Sequence, residues 1–165
     1  MQSMNVSKEE AEIRELIKQW SAALEAKDLD GMTARYDAHA VMYDAIPPYK
    51  TVGPEAIRAA WESCLPHFPE KFESRHHDLT YHVGPEVAAV YGLHHIVVPG
   101  EPDHPAAACY LRVSVVYRKI EGQWRVVHEH MSLPFNPLDN QAWQIKDPSN
   151  LSQPDYHAGC ETAGA

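Results

Sequence analysis

The sequence predicts an α+β fold in which helices pack on one face of an antiparallel sheet. Apolar residues recur at helical spacing in the first part, whereas from Arg75 onward apolar and polar residues alternate with a period of two. Two turn sequences, Gly84-Pro85-Glu86 and Glu121-Gly122-Gln123, divide this second part into hairpins. Helices followed by consecutive strands are typical of the α+β class.

Helix 1 is predicted from about Lys8 to Ala26. Ser7 and Glu10 form the S-x-x-E pattern of a capping box, which satisfies backbone N–H groups at the start of a helix. The apolar positions that follow at helical spacing are Ile13, Leu16, Ile17, Trp20 and Leu24. They give the helix one face that can pack on the sheet.

A short helix and a short strand follow helix 1. Asp28 can cap a helix that runs through Met32 to Tyr36. The segment Val41–Asp44 has the composition of a strand, which Pro47-Pro48 ends.

A third helix begins at Gly53-Pro54, because proline is favoured at the first helical position. Its apolar positions are Ile57, Ala60, Trp61, Cys64 and Leu65, and Pro66 ends it. Four strands complete the sheet, and we predict them at His76–Val83, Val87–Val98, Cys109–Lys119 and Trp124–Leu133.

Composition limits the class of protein. The 165 residues suit one domain, which we place at residues 1–135, followed by a mostly irregular C-terminal arm at 136–165. The net charge is −9, from 14 basic and 23 acidic residues, and this argues against nucleic acid and anionic membranes as partners. Neither a signal sequence nor an apolar run of membrane length is visible. Three widely spaced cysteines suit a reducing compartment, so we expect a cytoplasmic protein.

Side-chain alternation places polar residues together on the predicted sheet. On one strand Arg112, Ser114 and Val116 share a face, and on the next His128 and His130 do. This face is too polar for an ordinary core, so we expect it to line a cavity beneath the helices. The predicted walls of that cavity are Trp20, Tyr36, Met42, Trp61 and Val116.

The ionisable candidates each allow two interpretations. Asp44 is either a general base in an apolar pocket or a solvated carboxylate before a turn. His130, with His128, either relays protons with Asp44 or packs within the sheet and at its rim. Arg112 either holds a ligand oxygen or pairs with Glu129 or Asp44.

Metal binding is a third interpretation of the histidines. The sequence His128-Glu129-His130 with Asp44 or His94 could supply three ligands of an open site. Because His-x-His on a strand is a common coincidence, we expect no metal.

The order of elements resembles the nuclear-transport-factor-two-like superfamily, which includes ketosteroid isomerases and SnoaL-like polyketide cyclases. The similarity is carried by Trp20–Gly31 (WSAALEAKDLDG), the Asp44 strand, Gly53–Ile57 (GPEAI) and Trp124–Ser132 (WRVVHEHMS). It implies a cone, with a strongly curved sheet wrapped around helix 1, two further helices and a pocket at the open end. It also implies a homodimer packed through the outer sheet face.

The resemblance implies roles for single residues. Asp44 falls where the isomerases carry their general base, whereas Trp20 and Ser114 fall at the positions of their two oxyanion donors. Arg112 resembles a pocket arginine of the SnoaL-like branch.

We expect a cofactor-free enzyme that abstracts a proton beside a carbonyl, or adds or removes water, on a small, partly hydrophobic molecule. Asp44 would be the base, His130 the acid, and Arg112 an oxyanion partner. The alternative is a non-catalytic module for ligand binding or dimerisation.

Overall fold

The computed structural model describes residues 6–151. Its helices are α1 (Lys8–Glu25), α2 (Leu29–Thr33) and α3 (Gly53–Cys64). Its strands are β1 (Tyr36–Tyr43), β2 (Thr51–Val52), β3 (Glu73–Val83), β4 (Val87–Val97), β5 (Leu111–Ile120), β6 (Gln123–Ser132), β7 (Phe135–Asn136) and β8 (Gln141–Ala142). The predicted α+β class and the order of the main elements are confirmed.

The main sheet has six strands in the order β2-β1-β6-β5-β4-β3. All neighbours are antiparallel except β1 and β6, which pair in parallel, so the predicted antiparallel sheet carries one parallel contact. Register shifts in β1, β3 and β6 curve the sheet, because an extra residue on one strand bends it. The three helices cover the concave face.

Helix α1 begins as its sequence predicts. The Ser7 hydroxyl accepts a hydrogen bond from the Glu10 backbone N–H at 3.1 Å, which satisfies a donor that has no partner within the helix. Ile13 and Leu24 are completely buried, so the predicted apolar face packs into the core. Burial of each such side chain contributes roughly 2 kcal/mol.

The short helix ends earlier than predicted. Asp28 caps α2 as expected, with its carboxylate accepting from the Asp30 N–H at 3.1 Å, but the helix stops at Thr33. Tyr36 is the first residue of β1 instead, because its ring is buried and its hydroxyl reaches β6. β1 therefore starts five residues before the predicted strand and ends at Tyr43, one residue before Asp44.

Helix α3 begins at the predicted pair Gly53-Pro54. Gly53 has a φ of 80°, and a Cβ at this position would lie 3.0 Å from the Ala38 carbonyl oxygen. Glycine is therefore required where β2 passes into α3. Ile57 and Trp61 lie on the face of α3 that is buried in the core.

A bulge in β6 reverses the predicted facing of its second half. Val116 pairs with His128 and Tyr117 with Val126, so Val127 is an extra residue. Trp124 and Val126 point inward before the bulge, and Glu129 and Met131 do so after it. Simple alternation had placed Glu129 and Val126 on opposite faces.

Only part of the predicted C-terminal arm lies within the described residues. β7 and β8 form a small hairpin there, and Tyr110 makes a bridge with Ile145. The remainder of the arm, residues 152–165, lies outside the described part of the chain. Between residues 6 and 151, no helix has the length and apolar character needed to cross a membrane.

Candidate active site

A cavity of about 510 Å³ lies between α1, α2 and the concave face of the sheet. Most of its wall is apolar and comes from α1 and strands β4–β6, including Ile17, Val90, Val113, Val115 and Met131. Nine polar or aromatic residues interrupt this wall: Gln19, Trp20, Asp28, Arg35, Tyr36, His76, His94, Tyr117 and Glu129. An apolar pocket with a few convergent polar groups is the usual form of a small-molecule site.

Glu129 is the buried acid of the cavity. Its side chain is 5% exposed, and the Tyr36 hydroxyl donates a hydrogen bond to its Oε2. The pKa of Glu129 is raised to about 7: burial is the largest cause, the Tyr36 hydrogen bond opposes it, and the negative charge of Asp44 adds to it. Glu129 is therefore partly ionised near neutral pH, which suits a group that both takes and returns a proton.

Two tyrosines surround this carboxyl. Burial and the charge of Glu129 raise the pKa of both Tyr36 and Tyr117 well above the usual range. Both phenols therefore keep their protons at neutral pH and can donate hydrogen bonds. A protonated phenol next to a buried carboxylate can stabilise negative charge that develops on a ligand oxygen.

A second polar group lies where β3 and β4 line the cavity. His76 and His94 face each other across the two strands, and Ser74 Oγ is 2.8 Å from His94 Nε2. Burial, with a smaller effect from neighbouring histidines, lowers the pKa of His94 to about 3 and that of His76 to about 4. Both rings are therefore neutral at pH 7.

Trp20 lies beside these histidines on the cavity wall. Its ring centroid is 6.2 Å from that of His76 and 5.8 Å from that of His94. The indole Nε1 is buried and has no hydrogen-bond partner among residues 6–151. An unsatisfied buried donor costs free energy, which a bound ligand oxygen would recover.

Asp44 does not line this cavity. It follows β1 directly, is half-buried, and accepts a hydrogen bond from the Ile46 N–H at 3.4 Å. Burial raises the pKa of its carboxyl. Because its charge acts on Glu129, it lies close enough to influence the site without forming its wall.

The polar face of β5 points away from the cavity. Arg112 and Ser114 are exposed and Val116 is partly buried, whereas the inner positions Val113 and Tyr117 line the cavity. The prediction that Arg112, Ser114 and Val116 line it is therefore wrong. No helix among the described residues covers this outer face, so its polar side chains meet solvent.

The two histidines of β6 also lie on the outer face. His130 is exposed, and His128 Nδ1 lies 2.8 Å from the Val41 carbonyl oxygen. Both rings contact Tyr43 edge-on, with centroid distances of 5.2 and 5.9 Å. Because the Val127 bulge turns them outward, the prediction that His128 and His130 line the cavity is wrong.

Among the predicted walls, Trp20 and Tyr36 line the cavity, whereas Met42 and Trp61 do not. Met42 is completely buried in the core, and Trp61 packs edge-on behind Trp20 with centroids 5.9 Å apart. The structure thus does not bring Asp44, Arg112 and His130 together in this cavity. Among residues 6–151, no three side chains of the metal-binding types stand close enough to hold an ion.

Sequence reasoning missed Glu129, His94 and Tyr117 as site residues. Glu129 had entered only as a partner of Arg112, and His94 only as a possible metal ligand. A signal was present in β6. The buried positions are Trp124 and Val126 before Val127, and Glu129 and Met131 after it, so the alternation changes phase at Val127. Such a phase change within one strand indicates a bulge.

A model of the SnoaL-like domain matches residues 13–136. The chain belongs to the SnoaL-like family. An NTF2-like protein of unknown function from Pseudomonas putida is 33% identical, with a TM-score of 0.75 over 84% of this chain and 95% of that one. The SnoaL-like match ends within β7, so it spans the whole six-stranded sheet.

More distant structures share the fold. A cystatin-like protein of unknown function from Nostoc punctiforme is 17% identical, with a TM-score of 0.65 over 79% of this chain and 96% of that one. A provisionally named ketosteroid isomerase from Parabacteroides distasonis is 19% identical, with a TM-score of 0.61 over 84% and 96%. None of the curated proteins matches the sequence. This SnoaL-like chain thus shares its fold with these structures.

Proposed function

We propose that this SnoaL-like protein is a cofactor-free enzyme that moves a proton on a small, partly hydrophobic carbonyl compound. The observation that carries the proposal is a buried carboxyl, Glu129, held by the Tyr36 hydroxyl in the wall of an apolar cavity. Its pKa is raised to about 7, close to the pH at which a general base is most effective. Glu129 replaces Asp44 and His130 as the acid–base group of the sequence-based hypothesis.

The proposed reaction uses Glu129 in two steps. The ionised carboxylate removes a proton from the carbon beside the carbonyl, and the electron pair of that C–H bond moves to form an enolate. The Tyr117 phenol donates a hydrogen bond to the enolate oxygen, which lowers the free energy of the charged intermediate. The protonated Glu129 then returns the proton to the same or a conjugated carbon, so no external acid is required.

The test is deuterium exchange on cyclic ketones in D₂O, followed by NMR. The native protein should accelerate exchange at the carbon beside the carbonyl, and Glu129→Gln should slow it by about 10²–10⁴-fold, the usual contribution of a general base. Glu101→Gln, in an exposed loop, is the matched control. Equal rates for the native protein and Glu129→Gln would reject the catalytic role.

The binding module stays the second candidate, because the apolar wall and the unpartnered Trp20 Nε1 favour a ligand irrespective of chemistry. Ketone binding seen by NMR without any accelerated exchange would support this candidate. The same NMR experiment therefore distinguishes an enzyme from a binding module.

We also propose that the chain forms a homodimer through the outer sheet face. This face exposes Tyr43, Val87 and Tyr91, with 39%, 51% and 46% of each residue accessible. They alternate with exposed polar side chains of the same face, since Ser114 and His130 lie between Tyr91 and Tyr43, and exposed apolar side chains in such a setting favour contact with another protein surface. Sedimentation of the native chain should give twice the monomer mass, and Tyr91→Glu should shift it toward the monomer; a native monomer at micromolar concentration would contradict the proposal.

A further inference from the structure

Two serines connect His76 and His94 by hydrogen bonds. Ser74 Oγ lies 2.8 Å from His94 Nε2 and 3.2 Å from Ser21 Oγ. Ser21 Oγ in turn lies 3.4 Å from His76 Nδ1. The four side chains thus form one continuous chain from β4 through β3 and α1 and back to β3.

The chain couples the tautomers of the two histidines. A hydroxyl has a single proton to donate, so the donors along the chain all point in one direction. When His94 Nε2–H donates to Ser74, the far end requires His76 Nδ1 as acceptor, and both rings carry their proton on Nε2. In the reverse direction both rings carry it on Nδ1.

Two ring nitrogens remain outside this chain, His94 Nδ1 and His76 Nε2. In either direction of the chain one of them is a donor and the other an acceptor. Neither has a hydrogen-bond partner within the described part of the protein, and both rings line the cavity. The Trp20 ring lies beside both histidine rings, and its buried Nε1 has no partner among residues 6–151.

The ring pair has no net charge at neutral pH. Burial holds the pKa of His94 at about 3 and that of His76 at about 4. Among the charged and titratable groups around the pair, Glu25 of α1 accepts a hydrogen bond from the Ser74 N–H at 2.7 Å, His77 and His95 lie next to the two rings, and Arg14 of α1 lies over the Tyr81 ring. The environment therefore favours neutral ligand groups over anions.

We propose that Ser74 and Ser21 hold His76 and His94 as a coupled donor–acceptor pair that binds a hydroxyl or carbonyl group of a small molecule. A hydroxyl fits best, because it accepts from one ring nitrogen and donates to the other. A carboxylate fits poorly, because it would meet an acceptor nitrogen; the cation of the lining, Arg35, directly precedes β1, whereas the pair lies on β3 and β4 at the other end of the sheet. The inference rests on the proposed function only in requiring a small molecule in this cavity.

The pair also defines the kind of molecule that fills the cavity. Glu129 lies on β6, and β5 separates β6 from β4, which carries His94. A ligand that contacts both groups has polar oxygens at its two ends and an apolar middle, which faces Val90, Val113 and Val115. The chemical class is a neutral, apolar compound with oxygen functions at two separate positions.

Imidazole NMR of the protein without ligand tests the coupling. Long-range ¹H–¹⁵N spectra at pH 7 should show both rings neutral and in the same tautomer. Ser74→Ala and Ser21→Ala each break the chain and should remove this agreement, whereas Ser63→Ala, an exposed serine of α3, should not. Opposite tautomers in the native protein, or an imidazolium at pH 7, would overturn the coupling.

Two matched probes test the ligand class. Cyclohexanol should shift the His76 and His94 ring signals, and cyclohexanecarboxylate should bind at least tenfold more weakly. Ser74→Ala should weaken cyclohexanol by up to about tenfold, the worth of one hydrogen bond. An equal response to both probes, or none to cyclohexanol at its solubility limit, overturns the ligand class. Neither readout needs turnover, so loss of deuterium exchange alone would reject only the proposed function.

Discussion

The Tyr36 hydroxyl donates a hydrogen bond to Glu129 across the parallel pair of β1 and β6, although 93 positions separate the two residues. Both strands are irregular here, with a register shift in β1 after Tyr36 and the extra residue Val127 in β6. These irregularities place a phenol and a carboxyl side by side in an apolar cavity. The contact links the curvature of the sheet to the proton chemistry of the site.

Stability should fall with rising pH because of Glu129. Its pKa is about 7 in the folded protein against about 4.5 unfolded, so the unfolded state loses its proton first as the pH rises. The stability that this group contributes is complete below about pH 4.5 and is lost as the pH rises through about 7. At about 1.4 kcal/mol per pKa unit the loss is on the order of 3 kcal/mol.

Glu129→Gln isolates this contribution, because glutamine keeps the volume and cannot ionise. Urea unfolding at pH 5 and pH 9 should show a smaller decrease for the variant than for the native protein. Glu101→Gln serves as the control for a change in overall charge. A native protein and a Glu129→Gln variant with parallel pH profiles would contradict the raised pKa.

Tyr36→Phe should raise the pKa of Glu129 above about 7. The phenol stabilises the ionised carboxylate, so its removal favours the protonated form. Infrared difference spectra report the protonated carboxyl by its carbonyl stretch, and the midpoint of that signal should move to higher pH. Tyr91→Phe, on the outer face, provides the matched tyrosine control. A midpoint that stays constant or moves down would show that the hydrogen bond does not set this pKa.

Asp44→Asn should lower the pKa of Glu129. The negative charge of Asp44 opposes ionisation of Glu129, and the neutral amide removes that repulsion. The effect should be smaller than that of burying the carboxyl, which is the larger cause of the raised pKa. The same infrared midpoint measures it, with Asp103→Asn in an exposed loop as control. If Asp44 were itself the general base, Asp44→Asn would instead abolish exchange by orders of magnitude.

The elements of the fold were predictable because local signals determine them. Ser7, Asp28 and Gly53-Pro54 mark helix starts, and the two turn sequences separate the strands. These signals act within a few residues, so the chain itself carries them in readable form. The end of α2 was missed because the burial of Tyr36, a tertiary contact, overrides local helix propensity.

The site was less predictable because it depends on which face of the sheet is covered. Arg112, Ser114, His128 and His130 form a polar set, and polarity alone does not distinguish a cavity wall from a solvent-exposed face. One additional residue, Val127, exchanges the faces of everything after it in β6. The pairing of His76 with His94 likewise depends on the register of β3 against β4, which the sequence does not state.

Gly92→Ala should destabilise the protein and disturb the histidine end of the cavity. A Cβ at Gly92 would lie 2.7 Å from the His77 carbonyl oxygen and 2.9 Å from Leu79 Cδ2, opposite the bulge of β3. Since the nearest atom belongs to the backbone, the strands must move apart, at a cost of roughly 1–3 kcal/mol.

Gly100→Ala, with nothing within 4 Å of its Cβ, is the control and should cost about 1 kcal/mol for its φ of 80°. Urea unfolding measures both variants, and a Gly92→Ala protein as stable as Gly100→Ala would show that β3 and β4 separate there without difficulty. His76 and His94 pair on the other side of the same bulge, so their ring signals should shift in Gly92→Ala and stay unchanged in Gly100→Ala.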